Sequence, residues 1–208
     1  MLLTPTQIQF LDWLDNHEFA KNIYWTGGTA LAFKYKHRLS TDLDFFSMDL
    51  LADYQLLPFI AEIKSHFWIL SVSQQRVYNR AIFLFDEHLD HLKMEFTYFP
   101  FLRQKIGSKW KNQLEIDTPW DIGINKIHAV TERQEIKDVY DLYEICTREK
   151  VTIMELVRGV ESKFGVQLES RDVIARISYI AKNIESIVPF LVSWNTTKQV
   201  TDWVISLI

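Results

Sequence analysis

Two patterns of apolar spacing divide the chain. Up to about residue 117, apolar positions come in short runs and alternations; beyond it they recur every three or four residues. Thr4 caps a first helix, Pro5 suits its first turn, and Ile8, Leu11, Trp13 and Leu14 give it an apolar face. Residues 22–26 read as a short strand and 29–35 as a helix. A second strand carries Asp42 and Asp44 among Leu43, Phe45 and Phe46. Residues 50–67 read as a helix burying Leu56, Leu57, Ile60 and Ile63, with Pro58 ending one turn and starting another. Strands follow at 68–74 and 80–85, with a hairpin turn at 86–90. Residues 91–98 then alternate, Leu92, Met94, Phe96 and Tyr98 on one side and Lys93, Glu95 and Thr97 on the other.

From Thr118-Pro119 the chain reads as helices. Thr118 caps, Pro119 opens and Asp121 complements the dipole of one whose stripe is Ile122, Ile127 and Val130. Residues 135–149 turn Val139, Leu142, Tyr143 and Cys146 inward, and place Asp138 and Asp141 on one face. Thr152-x-x-Glu155 is a capping box and Gly165 a C-cap. Helices at 170–187 and 196–208, separated by Pro189, complete a bundle. The expected fold class is α+β, with an α/β lobe at 1–117 and a helical lobe at 118–208.

Composition narrows the setting. Of 208 residues, 48% are hydrophobic and 24% charged, as in an ordinary globular protein with a sizeable core. The net charge of −4 gives no overall basic footprint for nucleic acid. Cys146 is the single cysteine, so no internal disulfide forms and a cytoplasmic setting is expected. The N-terminus lacks a basic, then apolar, leader pattern, and no apolar run spans a bilayer, so no membrane partner is expected.

Two stretches carry candidate chemistry. Gly27-Gly28-Thr29 follows the first strand and opens a helix, whose unpaired N–H groups suit an anion such as phosphate. An ordinary strand-to-helix turn has the same pattern. Asp42 and Asp44, two apart on a strand, point the same way, and like charges side by side repel. A hard divalent ion such as Mg²⁺ relieves that repulsion; so does a solvated strand end. Glu95 lies mid-strand, as a third carboxylate of the same site or on a solvated face. The basic stretch 103–111 is a solvated loop or a rim for a polyanion.

The order of these features resembles the nucleotidyltransferase superfamily with the DNA polymerase β-type fold. Gly27-Gly-Thr-Ala-Leu31, followed by His37-Arg38-x-Ser40-x-Asp42-Leu-Asp44-Phe45, resembles more closely the AbiEii/AbiGii toxin family of nucleotidyltransferases. Lys126-Ile-His-Ala129, Arg133 and Lys137-Asp138-x-x-Asp141-Leu142 are similar to that family's later motifs, so the likeness runs from Tyr24 to Glu144. Residues 152–208 carry no such motif.

The resemblance implies a mixed nucleotidyltransferase-type sheet with flanking helices, then a helical bundle. It implies transfer of a nucleotide from a nucleoside triphosphate to an acceptor hydroxyl, such as that of tRNA or another RNA, by a toxin of a toxin–antitoxin or phage-defence system, in the former case with a cognate antitoxin. Gly27, Gly28 and Thr29 would hold the triphosphate, with Arg38, Ser40 and Lys126 also on the nucleotide. Asp42, Asp44 and Glu95 would bind one or two Mg²⁺ ions, and Glu95 would activate the acceptor. Lys126 would supply positive charge, and Asp138 would orient it or contact the nucleotide. A protein hydroxyl as acceptor would use the same residues. The rival expectation is a non-catalytic nucleotide-binding or interaction module on the same fold.

Overall fold

A computed structural model describes residues 3–67, 72–85, 92–192 and 196–208. The chain divides into two compact units. One comprises Met1–Phe33, Ser40–Leu102 and Gly107–Asp117; the other Lys34–Leu39, Arg103–Ile106 and Thr118–Ile208.

In the first unit, α1 (Pro5–Asp15) starts at a capping box in which Thr4 and Gln7 exchange bonds between side chain and main chain. Its buried side is Gln7, Phe10, Leu11, Leu14 and Asp15, so two polar residues join the expected apolar face. A 3₁₀ turn, Glu18–Asn22, takes the first part of the expected strand, because His17 Nδ1 accepts the Phe19 N–H and caps it. The strand itself, β1, is Tyr24–Thr26, and α2 (Gly27–Tyr35) follows without a linker. Then come β2 (Leu43–Ser47) and α3 (Asp53–His66). Pro58 neither ends nor restarts α3. It forfeits one hydrogen bond, to the Tyr54 carbonyl four residues back; Tyr54 is 79% exposed, so solvent can satisfy that carbonyl.

Next are β3 (Val72–Val77), β4 (Arg80–Phe85), β5 (Leu92–Tyr98), β6 (Ser108–Lys109) and β7 (Glu115–Ile116). β3 and β4 form a hairpin closed by Tyr78 and Asn79, with Tyr78 in the left-handed region at φ 50°. The turn expected at 86–90, and the first residues of the strand expected at 68–74, lie outside the described residues. Among the described residues the strands form one mixed sheet in the order β3-β4-β5-β2-β1-β7-β6. β2 is its middle strand, antiparallel to β1 and parallel to β5. Leu43, Phe45, Met94 and Phe96 face the core from these two strands, and Phe45 stacks on Phe96 with ring centroids 5.3 Å apart. The opposite face of the same strands carries polar side chains.

The second unit holds α4 (Pro119–Glu132), α5 (Ile136–Glu149), α6 (Ile153–Phe164), α7 (Ser170–Ala181), a 3₁₀ turn at Ile184–Phe190 and α8 (Thr196–Ser206). The Thr118, Thr152 and Gly165 caps form as the sequence indicates. α7 stops six residues short of the expected end. The N–H groups of Lys182 and Asn183 turn back three residues, to the carbonyls of Tyr179 and Ile180, and the chain tightens into the 3₁₀ turn that contains Pro189. Cys146 is buried, and burial pushes its thiol up to about 12, so it behaves as a core residue.

α6 packs on α4 through Gly159. A Cβ there would lie 2.7 Å from Ile124 side-chain carbons. Alanine in place of helical glycine ordinarily gains about 1 kcal/mol. Overpacking costs about 1–3 kcal/mol, which reverses the sign here. Gly159→Ala is therefore expected to lower the urea midpoint with an unchanged slope.

Candidate active site

The middle of the sheet brings two of the candidate carboxylates together. Asp44 on β2 and Glu95 on β5 are register partners in a parallel pair, so their side chains leave the same face as neighbours. Asp42 lies just before β2 and Lys93 two residues before Glu95. The Lys93 ammonium donates to Asp42 Oδ2 at 2.8 Å. On β4, Arg80 donates to Glu95 Oε1 at 3.3 Å.

Gly27 supports this group. It has φ 76°, in the region that favours glycine, and turns the chain from β1 into α2. A Cβ on Gly27 would collide with the Asp44 carboxylate, so the main chain and that carboxylate are in close approach. Gly28 is buried behind it. The first N–H groups of α2 thus begin beside Asp44.

Two hydrogen bonds hold the loop that leads to Asp42. Gln7 Nε2 of α1 donates to the Thr41 carbonyl at 2.7 Å, and the Thr29 hydroxyl donates to the Asp42 carbonyl. Thr29 is fully buried, and its oxygen also shares a 2.8 Å bond with the Ser40 hydroxyl. In this arrangement Thr29 and Ser40 brace the loop. Gln7 carries no motif that would mark it; its signal is only that of a polar residue three places after a capping threonine.

The other candidate residues form a separate group in the second unit. Asp141 is fully buried on α5. Arg38 grips it with two bonds, Nε to Oδ1 at 2.7 Å and Nη2 to Oδ2 at 2.8 Å. Lys126 Nζ lies 2.9 Å from Asp141 Oδ2 and 2.6 Å from Asp138 Oδ1. His37 Nε2 is 2.8 Å from Asp141 Oδ1, and Arg133 donates to both Asp138 oxygens. Three cations thus face two carboxylates. Burial opposes ionisation of Asp141, but Lys126 and Arg38 overcome it and hold the carboxyl well below its ordinary range. Asp138 is also held low against burial, chiefly by Lys126 and then Arg133. Burial likewise opposes the charge on Lys126, and the two aspartates more than restore it.

His37 is buried within this group. Sequence reasoning places Asp138 beside Lys126 but not Asp141 at the centre of the group. The spacing Asp138-x-x-Asp141, one helical turn, is the signal that would have found it. Asn125, next to Lys126, has both amide atoms buried without a hydrogen-bond partner among the described residues. The basic stretch 103–111 is partly committed within each unit. Lys111 pairs with Asp12 at 2.6 Å, and the Lys105 ammonium lies 4.3 Å from the Trp120 ring centroid. Asp121 does more than complement a dipole: it is fully buried, accepts the N–H groups of Gln104 and Lys105, and pairs with Lys163 at 3.0 Å.

A mixed sheet thus carries two carboxylates beside a helix opened by glycine. The family profile described as nucleotidyl transferase AbiEii toxin, type IV toxin–antitoxin system, matches residues 9–184. The chain belongs to that family. An uncharacterized protein, aq_aa25 of Aquifex aeolicus (strain VF5), is 26% identical over 148 residues, 69% of this chain and 66% of the relative. The crystal structure of the Megavirus polyadenylate synthase aligns with TM-score 0.47 and 15% identity, over 72% of this chain and 33% of that one. The polymerase core of TRAMP, an RNA surveillance complex, aligns with TM-score 0.33 and 8% identity, over 87% and 59%. This chain therefore spans less than two thirds of each of these proteins. Among the described residues no helix is long and apolar enough to cross a membrane.

The depressed carboxyls of Asp138 and Asp141 set an acid limit. A carboxyl held below its unfolded value of about 3.9 stabilises the fold above that pH and loses the contribution as pH falls through the folded value. Asp141→Asn removes part of this dependence and leaves Arg38 and Lys126 short of a counter-charge. It is expected to cost about 3–5 kcal/mol at pH 7 and to flatten the fall in urea midpoint below about pH 4.

Proposed function

We propose that the protein transfers a nucleotide from a nucleoside triphosphate to an acceptor hydroxyl, with RNA such as tRNA as the acceptor, and that a cognate antitoxin restrains it. The observation that supports this reading most directly is the in-register pair Asp44 and Glu95, with the Gly27 main chain against Asp44. Family membership supports it independently.

The donor set of Asp42, Asp44 and Glu95 consists only of carboxylate oxygens, which fit a hard divalent ion such as Mg²⁺. When bound, such an ion neutralises charge on the phosphate oxygens during an in-line displacement. The chain's own residues then have distinct tasks. Gly27 and Gly28 admit the triphosphate close to the main chain, where the N–H groups opening α2 accept its charge. Glu95 takes the proton of the acceptor hydroxyl as its oxygen attacks the α-phosphorus. The bond from that phosphorus to the β-phosphate bridging oxygen breaks, and pyrophosphate leaves with the electron pair. Thr29 and Ser40 keep Asp42 at its post. In the second unit, Asp138 and Asp141 hold Lys126 and Arg38 in a buried group of fixed geometry.

The test is incubation with Mg²⁺, each labelled nucleoside triphosphate in turn and total cellular RNA, beside Asp44→Ala. Label in a tRNA-sized band is expected with the wild type, reduced about 10²-fold or more in the variant. Label in a protein band instead moves the acceptor to a protein hydroxyl. Nucleotide binding without any transfer overturns the enzymatic reading in favour of a binding module.

A further inference from the structure

Among the described residues, the sheet of the first unit ends in two edges that are built differently. At one end β6 has two residues, one of them Lys109. So short a strand, carrying a lysine, is a poor template for further pairing. At the other end β3 runs for six residues, Val72–Val77, with neither proline nor lysine and with unbroken register against β4. Ser73, Gln74, Gln75 and Arg76 are exposed. Its one charged side chain is already committed within the unit, since Arg76 donates to the Asp53 carboxylate and, at 3.3 Å, to the Leu51 carbonyl.

The direction of the free main-chain groups follows from the pairing. The Tyr98 N–H donates to the Asn79 carbonyl at 2.8 Å, so Asn79, and by alternation Ala81, Phe83 and Phe85, turn their main chain toward β5. Arg80, Ile82 and Leu84 turn theirs toward β3, where they meet Val77, Gln75 and Ser73. The N–H and C=O groups of Val72, Gln74 and Arg76 therefore point outward along the edge.

We propose that β3 pairs with β3 of a second copy of this chain, antiparallel about a two-fold axis at Gln74, so that the sheet continues from one copy into the other. This register sets Gln74 opposite Gln74 and Val72 opposite Arg76. These are all outward residues, so each pair exchanges both of its main-chain hydrogen bonds. A glutamine amide carries donor and acceptor, which makes Gln74 complementary to its own copy. On the other face Ser73 meets Gln75. No charge meets its like, because Arg76 faces Val72 and keeps Asp53. The edge offers no net charge to draw an acidic or basic partner. β2, with Asp44, lies three strands in, so pairing leaves the carboxylates clear. One strand edge buries less than the roughly 1,200–2,000 Å² of a stable interface, so the dimer is weak and concentration-dependent.

The experiment is sedimentation velocity at rising protein concentration, beside Gln74→Pro. Wild type is expected to pass from monomer to dimer and Gln74→Pro to stay monomeric. The Gln74 N–H is outside the β3–β4 ladder, so that variant is expected to unfold near the wild-type temperature. Oxidation of Gln74→Cys gives a second readout. Residues in a bonded antiparallel pair have Cα atoms about 5.5 Å apart, within disulfide reach. A covalent dimer is expected from Gln74→Cys and not from Gln75→Cys; the native Cys146 is buried and does not compete. A wild type that stays monomeric at its highest soluble concentration overturns the second copy as occupant and leaves the edge to an extended segment of another protein. A dimer that persists in folded Gln74→Pro, or that Gln75→Cys cross-links equally well, uses another surface and overturns the proposal too. Where Gln74→Pro fails to fold, the absence of a Gln74→Cys cross-link overturns it.

Discussion

Parallel pairing of β2 with β5 is the constraint on which the first unit depends. β2 is the middle strand, so its register sets which side chains reach each face of the sheet. A slip of one residue would send Asp44 into the aromatic core and Phe45 to the polar face. The stack of Phe45 on Phe96 and the adjacency of Asp44 to Glu95 are therefore one fact seen from two sides. Burial on one face specifies the alignment of charge on the other. That is how strongly repelling groups come to be neighbours.

The alternation in β5 was legible because a half-buried strand has a period of two, and nothing interrupts it between Leu92 and Phe96. The caps at Thr4, Thr118, Thr152 and Gly165 were legible because each is a local device, complete within four residues. The ends of α3 and α7 were not. Pro58 is tolerated where its missing bond faces water, and the exit of α7 turns on main-chain bonds that any residue can make. At the candidate site, motif and period placed Asp44, Glu95 and Gly27 on the strands and the turn that carry them, whereas their supports were not legible. Gln7 and Lys93 act through partners 34 and 51 residues away. Asp15 is the same case: its buried carboxylate accepts the N–H groups of Asn112, Gln113 and Leu114, and no short motif announces a contact across that distance.

The two charge groups differ in kind. Around Asp44 the side chains are partly solvated, and the ion pairs there are weak in stability terms and free to rearrange. Around Asp141 they are buried, and each cation is matched to a carboxylate oxygen in fixed geometry. Removing a member of the second group leaves an uncompensated charge in a low-dielectric setting; removing a member of the first leaves one that water can reach. A substitution in the first group therefore costs little stability, and one in the second costs much.

The bond from Arg38 to Asp141 joins residues 103 apart in sequence. Closing so long a loop is costly in chain entropy, and contacts of such separation form late in folding. A chain emerging from the ribosome carries Arg38 long before its only bidentate partner exists among the described residues. Until α5 has been synthesised, that guanidinium has no buried place to go. The second unit takes in residues from both sides of this gap, so its Arg38–Asp141 bond cannot form before α5 has been synthesised. Ionic geometry here doubles as a timing device, making completion of the fold wait for the distal helix.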